Sequence, residues 1–217
     1  MNTITGVADA MVDSTPLVVI CGQVGAAMLG TDAFQEVDVV GVTQPITKWN
    51  FQIRRAEDIA WAVARAFYIA SSGRPGPVVL DFTKNAQTAL IDYQPQKVDF
   101  IRSYNPVPQP AEGAIEKAAR MINESVKPFM LVGQGVELAD ASEELKTLIE
   151  KAQIPVGTTF LGLSALPSDH PLNMGKLGMH GNLAPNVMTN QCDLLIAVGM
   201  RFDDRVTLVA VRSILIS

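Results

Sequence analysis

Phe129-Met130-Leu131-Val132-Gly133-Gln134-Gly135 is a short apolar run that ends in a glycine turn, followed by a stretch of helical period up to Ala152. Bounded by Pro128 and Gly133, a run of this length predicts a strand buried on both faces. Three similar runs occur at Leu17 to Cys21, Val78 to Phe82 and Leu194 to Val198, and Ile154 to Thr159 is a weaker fifth. The segments between them carry a helical spacing of apolar residues. Ile59, Val63, Ala66, Phe67 and Ala70 fall on one face, as do Ile115, Ala118, Ala119 and Ile122, and then Leu145, Leu148, Ile149 and Ala152. Glu57 and Asp58 favour the start of the first helix through its dipole, and Asp140 and Glu143 stand at capping-box spacing before the third. This alternation predicts an α/β fold built on parallel sheets.

Composition agrees with a buried core. Of the 217 residues 48% are hydrophobic and 18% charged, which excludes a disordered tail. The net charge of -5 gives no electrostatic footprint for nucleic acid. The long charge-free stretch from Ser14 to Thr31 is broken by Pro16, Gly22, Gly25 and Gly30, so no membrane span is expected. No basic leader opens the chain. Cys21 and Cys192 are too few and too far apart for a disulfide framework, so a cytoplasmic location is expected.

From Asp92 to Pro110 the periodicity disappears while Pro95, Pro106, Pro108 and Pro110 accumulate. Such a stretch predicts an extended linker, residues 92–110, between a first unit at 1–91 and a second at 111–217. The first unit shows only two clear strands and begins directly on helix-like sequence. The second ends in an apolar stretch from Thr207 to Ser217 with no following element. Both units are expected to be truncated.

Candidate chemistry is sparse. The Gly133-Gln134-Gly135 turn allows backbone amides to approach a diphosphate, but Leu138 stands where a dinucleotide fingerprint has its third glycine. An ordinary tight turn explains it equally well. Arg201-Phe202-Asp203-Asp204-Arg205 follows a strand, at the edge where open α/β sheets bind ligands, and two guanidinium groups there could neutralise a diphosphate. Composition by itself favours a solvated loop of mixed charge. His180, in Leu177-Gly178-Met179-His180-Gly181, has no ligand partner, and His170 lies in a proline-rich turn, so no metal site or catalytic triad can be assembled.

Taken together, longer motifs are more specific. Gly22-Gln23-Val24, Gly30 to Glu36, Pro45 to Lys48, Ser72 to Val78, Leu177 to Gly181 and Arg201 to Thr207 stand in the order and spacing of the acetolactate (acetohydroxyacid) synthase large subunit. The chain resembles that family over residues 2 to 207. The resemblance implies part of a parallel-sheet pyrimidine-binding domain followed by a Rossmann-like central domain that contacts FAD. It also implies thiamine diphosphate with Mg²⁺, and condensation of two 2-oxo acids with loss of CO₂ in isoleucine and valine biosynthesis. A homo-oligomer with a regulatory small subunit is implied as well.

By position, the resemblance brings Asn2 and Gln35 to the thiamine, and Phe34 and Lys84 to the substrate channel. It assigns to FAD the residues Arg74, Gly133, Gln134, Gly135, Thr159, Phe160, Gly178, Met179, His180, Gly181, Arg201, Asp203 and Arg205. It carries over no catalytic residue and no metal ligand, because the activating glutamate would precede Met1 and the Mg²⁺ and diphosphate ligands would follow Ser217. Gly25, Ala26 and Ala27 depart from the proline and basic residues that many members carry. A fragment inactive by itself is therefore expected. Two other readings are a noncatalytic FAD- or nucleotide-binding module and a related carboligase such as a glyoxylate-using enzyme.

Overall fold

A computed structural model describes residues 2–206, which form two compact units that divide between Gln109 and Pro110. The apolar stretch from Thr207 to Ser217 lies outside the described residues.

The first unit runs α1 (Ile4–Val12), β1 (Leu17–Gln23), α2 (Val39–Thr43), β2 (Trp49–Ile53), α3 (Ile59–Ser71), β3 (Pro77–Thr83) and α4 (Lys84–Thr88). Its three strands are parallel in the order β1-β3-β2. The central strand, β3, is buried at every position. Strand side chains alternate between faces, so Val78, Leu80 and Phe82 pack with Ala62, Ala66, Ile69 and Ala70 of α3, while Val79 packs with Val7 of α1 and Val39 of α2.

The second unit runs α5 (Ala114–Glu124), β4 (Pro128–Val132), α6 (Gly135–Leu138), α7 (Ser142–Ala152), β5 (Val156–Thr158), β6 (Asn173–Lys176), α8 (Leu183–Gln191) and β7 (Leu194–Val198). Its sheet is also parallel, in the order β6-β5-β4-β7. Met130, Val132, Val156, Leu194 and Ile196 face Leu145 and Ile149 of α7, whereas Phe129 and Leu131 face the side of Met188 in α8. Helices thus cover both faces of a parallel sheet, which satisfies strands apolar on both sides.

Several sequence expectations are corrected. The first unit has three strands among its described residues, because β2 alternates: Trp49, Phe51 and Ile53 face α3, while Asn50 and Gln52 face the other way into polar contacts. A search for continuous apolar runs misses that period of two. Strand β6, Asn173-Met174-Gly175-Lys176, is short and polar and carries no strand signal. The buried face of α3 is centred on its alanines, and Phe67 is 62% exposed, since the bulky β3 residues leave room only for small side chains opposite. In the same way Ile115 and Leu148 are exposed, and Ala119 with them. Asp140 does not cap α7: the N-cap is Ala141, without a side-chain bond, and Asp140 has a left-handed φ of 53°. Within 92–110, Ile101 is buried and Val98 and Tyr104 pack against the first core. The Lys48 ammonium donates to the Ile69 and Ser72 carbonyls at the end of α3 and to the Tyr104 hydroxyl, holding that segment in place.

Candidate functional site

In parallel α/β sheets, ligands bind beyond the carboxyl ends of the strands. Both units carry most of their singled-out residues at that edge.

At the edge of the first sheet, β1 runs into a loop held by side chains. The Glu36 carboxylate accepts the amide N–H groups of Gly30 and Ala33, the latter at 3.1 Å. Those bonds, the Gly30 one foremost, hold the Glu36 carboxyl below the usual glutamate range. Gly30, Asp32 and Gln35 all have left-handed φ, at 79°, 56° and 64°. Two of these are not glycine, and such backbone persists where surrounding contacts over-determine it, often at functional loops. The loop presents Phe34, 88% exposed, and Gln35 to the outside. Lys84 opens α4 at the same edge: its amide donates to the Val24 carbonyl, and Asn85 ties Ala26 to Arg54. Lys84 thus meets the start of the connection that further on carries Phe34 and Gln35. Asn2 is exposed just ahead of α1.

The Glu36 clamp predicts acid sensitivity. A carboxyl with a lowered folded pKa contributes stability that is complete above its unfolded value and lost as pH falls through the folded one. Acidification below about pH 4 is therefore expected to release the 30–36 loop before the core. Limited proteolysis checks this: cleavage after Phe34 should rise on acidification in the parent chain, and should be high and pH-independent in Glu36→Ala.

The edge of the second sheet holds the remaining residues, Arg74 excepted. Gly133, Gly135 and Gly199 are in mutual backbone contact: the Gly133 amide donates to the Val198 carbonyl at 3.0 Å and the Gly135 amide to the Gly199 carbonyl at 2.7 Å. A Cβ at Gly133 would stand 2.4 Å from the Gly199 oxygen, and one at Gly162 2.8 Å from Gly133. This gives the glycine turn a packing role. Its glycines allow two loops to touch, and the Gly133 and Gly135 amides are spent on that contact.

Gly178, with φ at 98°, lies against the Arg205 carbonyl, which accepts the Met179 amide at 2.9 Å. The Asn186 carboxamide bonds both the amide and the carbonyl of Gly178, at 2.9 and 3.0 Å. His180 is exposed and Gly181 donates to the Gly178 carbonyl. Thr159 donates its amide to Val132, and Phe160, 70% exposed, lies under the Lys176 ammonium at 5.4 Å. Arg201 pairs with Asp203 at 3.4 Å and Arg205 approaches Asp204 at 3.9 Å, all with considerable exposure, so these pairs leave both guanidinium groups open to an anion. The Asp203 carboxylate also accepts the amides of Arg205 and Val206. Gln134 lies partly exposed in the glycine turn.

Arg74 belongs to the first unit, where its guanidinium donates to Ser14 Oγ at 2.7 Å and to the Val12 carbonyl at 3.1 Å, closing the end of α1. Sequence reasoning missed Asn186, Lys176, Gly162 and Gly199. For Gly199 the signal was a glycine directly after the strand ending at Val198; for Asn186, an amide in a polar helix, there was none. No group of three or more His, Cys, Asp or Glu that could hold a metal occurs among the described residues, and no helix among them is long and apolar enough to cross a membrane.

Family models match two parts of the chain. The thiamine pyrophosphate enzyme N-terminal TPP binding domain matches residues 1–42, and the thiamine pyrophosphate enzyme central domain matches residues 115–213. The chain belongs to the thiamine pyrophosphate enzyme family. Within it, the acetolactate synthase large subunit of Corynebacterium glutamicum is 49% identical over 207 residues, 95% of this chain and 33% of that protein. The isozyme 1 large subunit of Escherichia coli is 45% identical over 94% of this chain and 36% of that protein. The chain spans about a third of the length of these curated relatives. A Mycobacterium smegmatis structure provisionally assigned as a thiamin diphosphate-dependent enzyme superposes with a TM-score of 0.73 at 26% identity, covering 91% of this chain and 38% of that one.

Proposed function

We propose that the chain is part of an acetolactate synthase large subunit, an enzyme that condenses pyruvate with pyruvate or 2-oxobutyrate, with decarboxylation, in the cytoplasmic synthesis of branched-chain amino acids. The observation that carries this is the alignment of nearly the whole chain with acetolactate synthase large subunits at up to 49% identity. Residues 1–91 are the C-terminal part of a pyrimidine-binding domain, 92–110 connect, and 111–217 form the FAD-contacting central domain.

The side chains at the second edge suit FAD. Exposed Phe160 and Met179 offer apolar contact to a ring, and Arg201 and Arg205 offer charge-assisted bonds to a diphosphate. Gly133 to Gly135, Thr159 and Gly178 to Gly181 give that edge its shape, with Asp203 fixing the arginine loop. FAD has a largely structural role here. Thiamine diphosphate with Mg²⁺ supplies the carbon–carbon chemistry when bound. This chain's contribution to it is the loop of Phe34 and Gln35, with Asn2 and Lys84, which borders the thiamine and the channel of the 2-oxo acid. At Gly25, Ala26 and Ala27 the channel mouth differs in shape and charge from members that carry proline and basic residues there. A homo-oligomer with a small regulatory subunit completes the proposal.

A chimera tests it. Residues 2–206 replace the matching segment of the Corynebacterium glutamicum protein, and acetolactate formation from pyruvate is measured with thiamine diphosphate, Mg²⁺ and FAD. Acetolactate is expected from the chimera and none from the 217-residue chain alone. A folded, flavin-containing chimera that makes no acetolactate overturns the assignment, and condensation of glyoxylate instead would redirect it to another carboligase.

A further inference from the structure

Beneath the Phe34 loop lies a buried carboxylate that nothing above uses. Asp81, in the middle strand of the first sheet, is fully buried. Its Oδ2 accepts the Gln23 amide at 3.2 Å and the Gln52 amide at 2.9 Å, one from each neighbouring strand. Its Oδ1 has no hydrogen-bond partner among the described residues. Gln23, 8% exposed, passes the constraint on: its amide group also donates to the Val37 carbonyl at 2.8 Å, and its Oε1 accepts the Val24 amide at 2.9 Å. Gln52 continues the row to Arg54, whose guanidinium donates to Gln52 Oε1 at 2.8 Å. A chain of polar contacts thus runs from an exposed arginine, across all three strands, to both ends of the 24–37 loop.

A buried carboxylate without a cationic partner is costly, and a leucine would fill the same strand position without that cost. The cost is intelligible if the group aims another. We propose that Asp81 is a positioning residue, which fixes the Gln23 carboxamide and through it both ends of the loop that presents Phe34 and Gln35. The purpose of that loop rests on the proposed function, whereas its restraint by Asp81 does not. Of the two N–H bonds of the Gln23 amide nitrogen, one goes to the Val37 carbonyl and the other to Asp81, while its oxygen holds the Val24 amide, so Asp81 anchors to the sheet the one group that bonds both ends of the loop.

Hydrogen exchange of the ligand-free chain tests this without reference to activity. In Gln23→Met, which leaves Asp81 in place but removes the side-chain bonds to Asp81, Val37 and Val24, exchange of the Gly30, Ala33 and Glu36 amides should accelerate at least about tenfold. Asp81→Leu should do the same, while α3 amides stay within about threefold. Asp81→Asn, whose single carbonyl oxygen accepts both amides, should keep the loop near its parent rate, a rescue that a merely space-filling role would not require. Loop exchange unchanged in Gln23→Met, or loss of loop protection in Asp81→Asn equal to that in Asp81→Leu, overturns the proposal. If Asp81→Leu does not fold, Asp81→Ala takes its place as the variant against which Asp81→Asn is compared. A failed acetolactate assay in the chimera would leave these exchange results standing.

Discussion

Replacement of Gly199 by alanine is expected to lower the melting temperature of the second unit by more than about 10 °C, the shift that ~3 kcal/mol produces in a domain of this size. Two costs add. At φ 59° an L side chain is strained by about 1–2 kcal/mol. The new Cβ would also stand 2.6 Å from the Val136 nitrogen and 2.8 Å from the Gly135 backbone. Those are main-chain atoms at the start of α6, bonded to Gly199 itself through the Gly135 amide, and they cannot yield as the tip of a side chain can. Forcing atoms into a packed region costs about 1–3 kcal/mol. Gly113→Ala is the matched control, because Gly113 has φ 72° but nothing within 4 Å of a Cβ. It should cost only the backbone strain, about 1–2 kcal/mol. Calorimetric melts of the three proteins decide the matter: a Gly199→Ala transition no lower than that of Gly113→Ala would show that the contact between the β4 and β7 loops is not the constraint described.

The second large effect concerns ligand affinity. Under the proposed function, Arg201→Ala is expected to weaken FAD binding roughly ten- to a hundredfold, since a lost charge-assisted bond costs about 1.5–3 kcal/mol. The structure gives Arg201 little competing work: its partner Asp203 is 3.4 Å away in a pair that is half exposed, and such pairs hold their members weakly. Asp203 would keep its bonds to the Arg205 and Val206 amides, so the loop should retain its shape. Lys84→Ala, in the other unit, should leave FAD affinity nearly unchanged. Quenching of flavin fluorescence on titration with each protein provides the measurement. Equal affinity in the parent chain and Arg201→Ala refutes the role of Arg201. Absence of binding in all of them removes the FAD assignment from this chain and leaves its family membership intact.

How much of this could be read before the fold was known depended on whether a feature is local. Among the described residues four of the seven strands coincide with short runs that are mostly apolar and β5 lies inside a fifth, and the expected burial holds for β3 and nearly all of β4, whereas β1, at the edge of its sheet, leaves Ile20 63% exposed. The motif series from Gly22 to Arg205 likewise needed only order and spacing to indicate the family. Faces and partners are different, because they depend on what lies opposite. Phe67 and Leu148 have the right period for a core yet are exposed, since helical spacing places a residue within about 100° of the buried line but the neighbouring sheet decides which side chains fit beneath it. Trp49 to Ile53 alternates in sequence, but only the sheet shows Gln52 on the same buried carboxylate as Gln23, 29 residues away.

The sequence by itself determined the parallel α/β class and the family, because each follows from apolar runs or motifs that neighbouring residues complete. Only the tertiary structure decided what Gly133, Gly135 and Asp81 do. A glycine's use depends on the atoms that fill the space its missing side chain leaves, and those belong to Gly199 and Met200, more than 60 residues on. The standing of Asp81 depends on donors from two other strands, which become its neighbours only when β1 and β2 pair with β3 on either side.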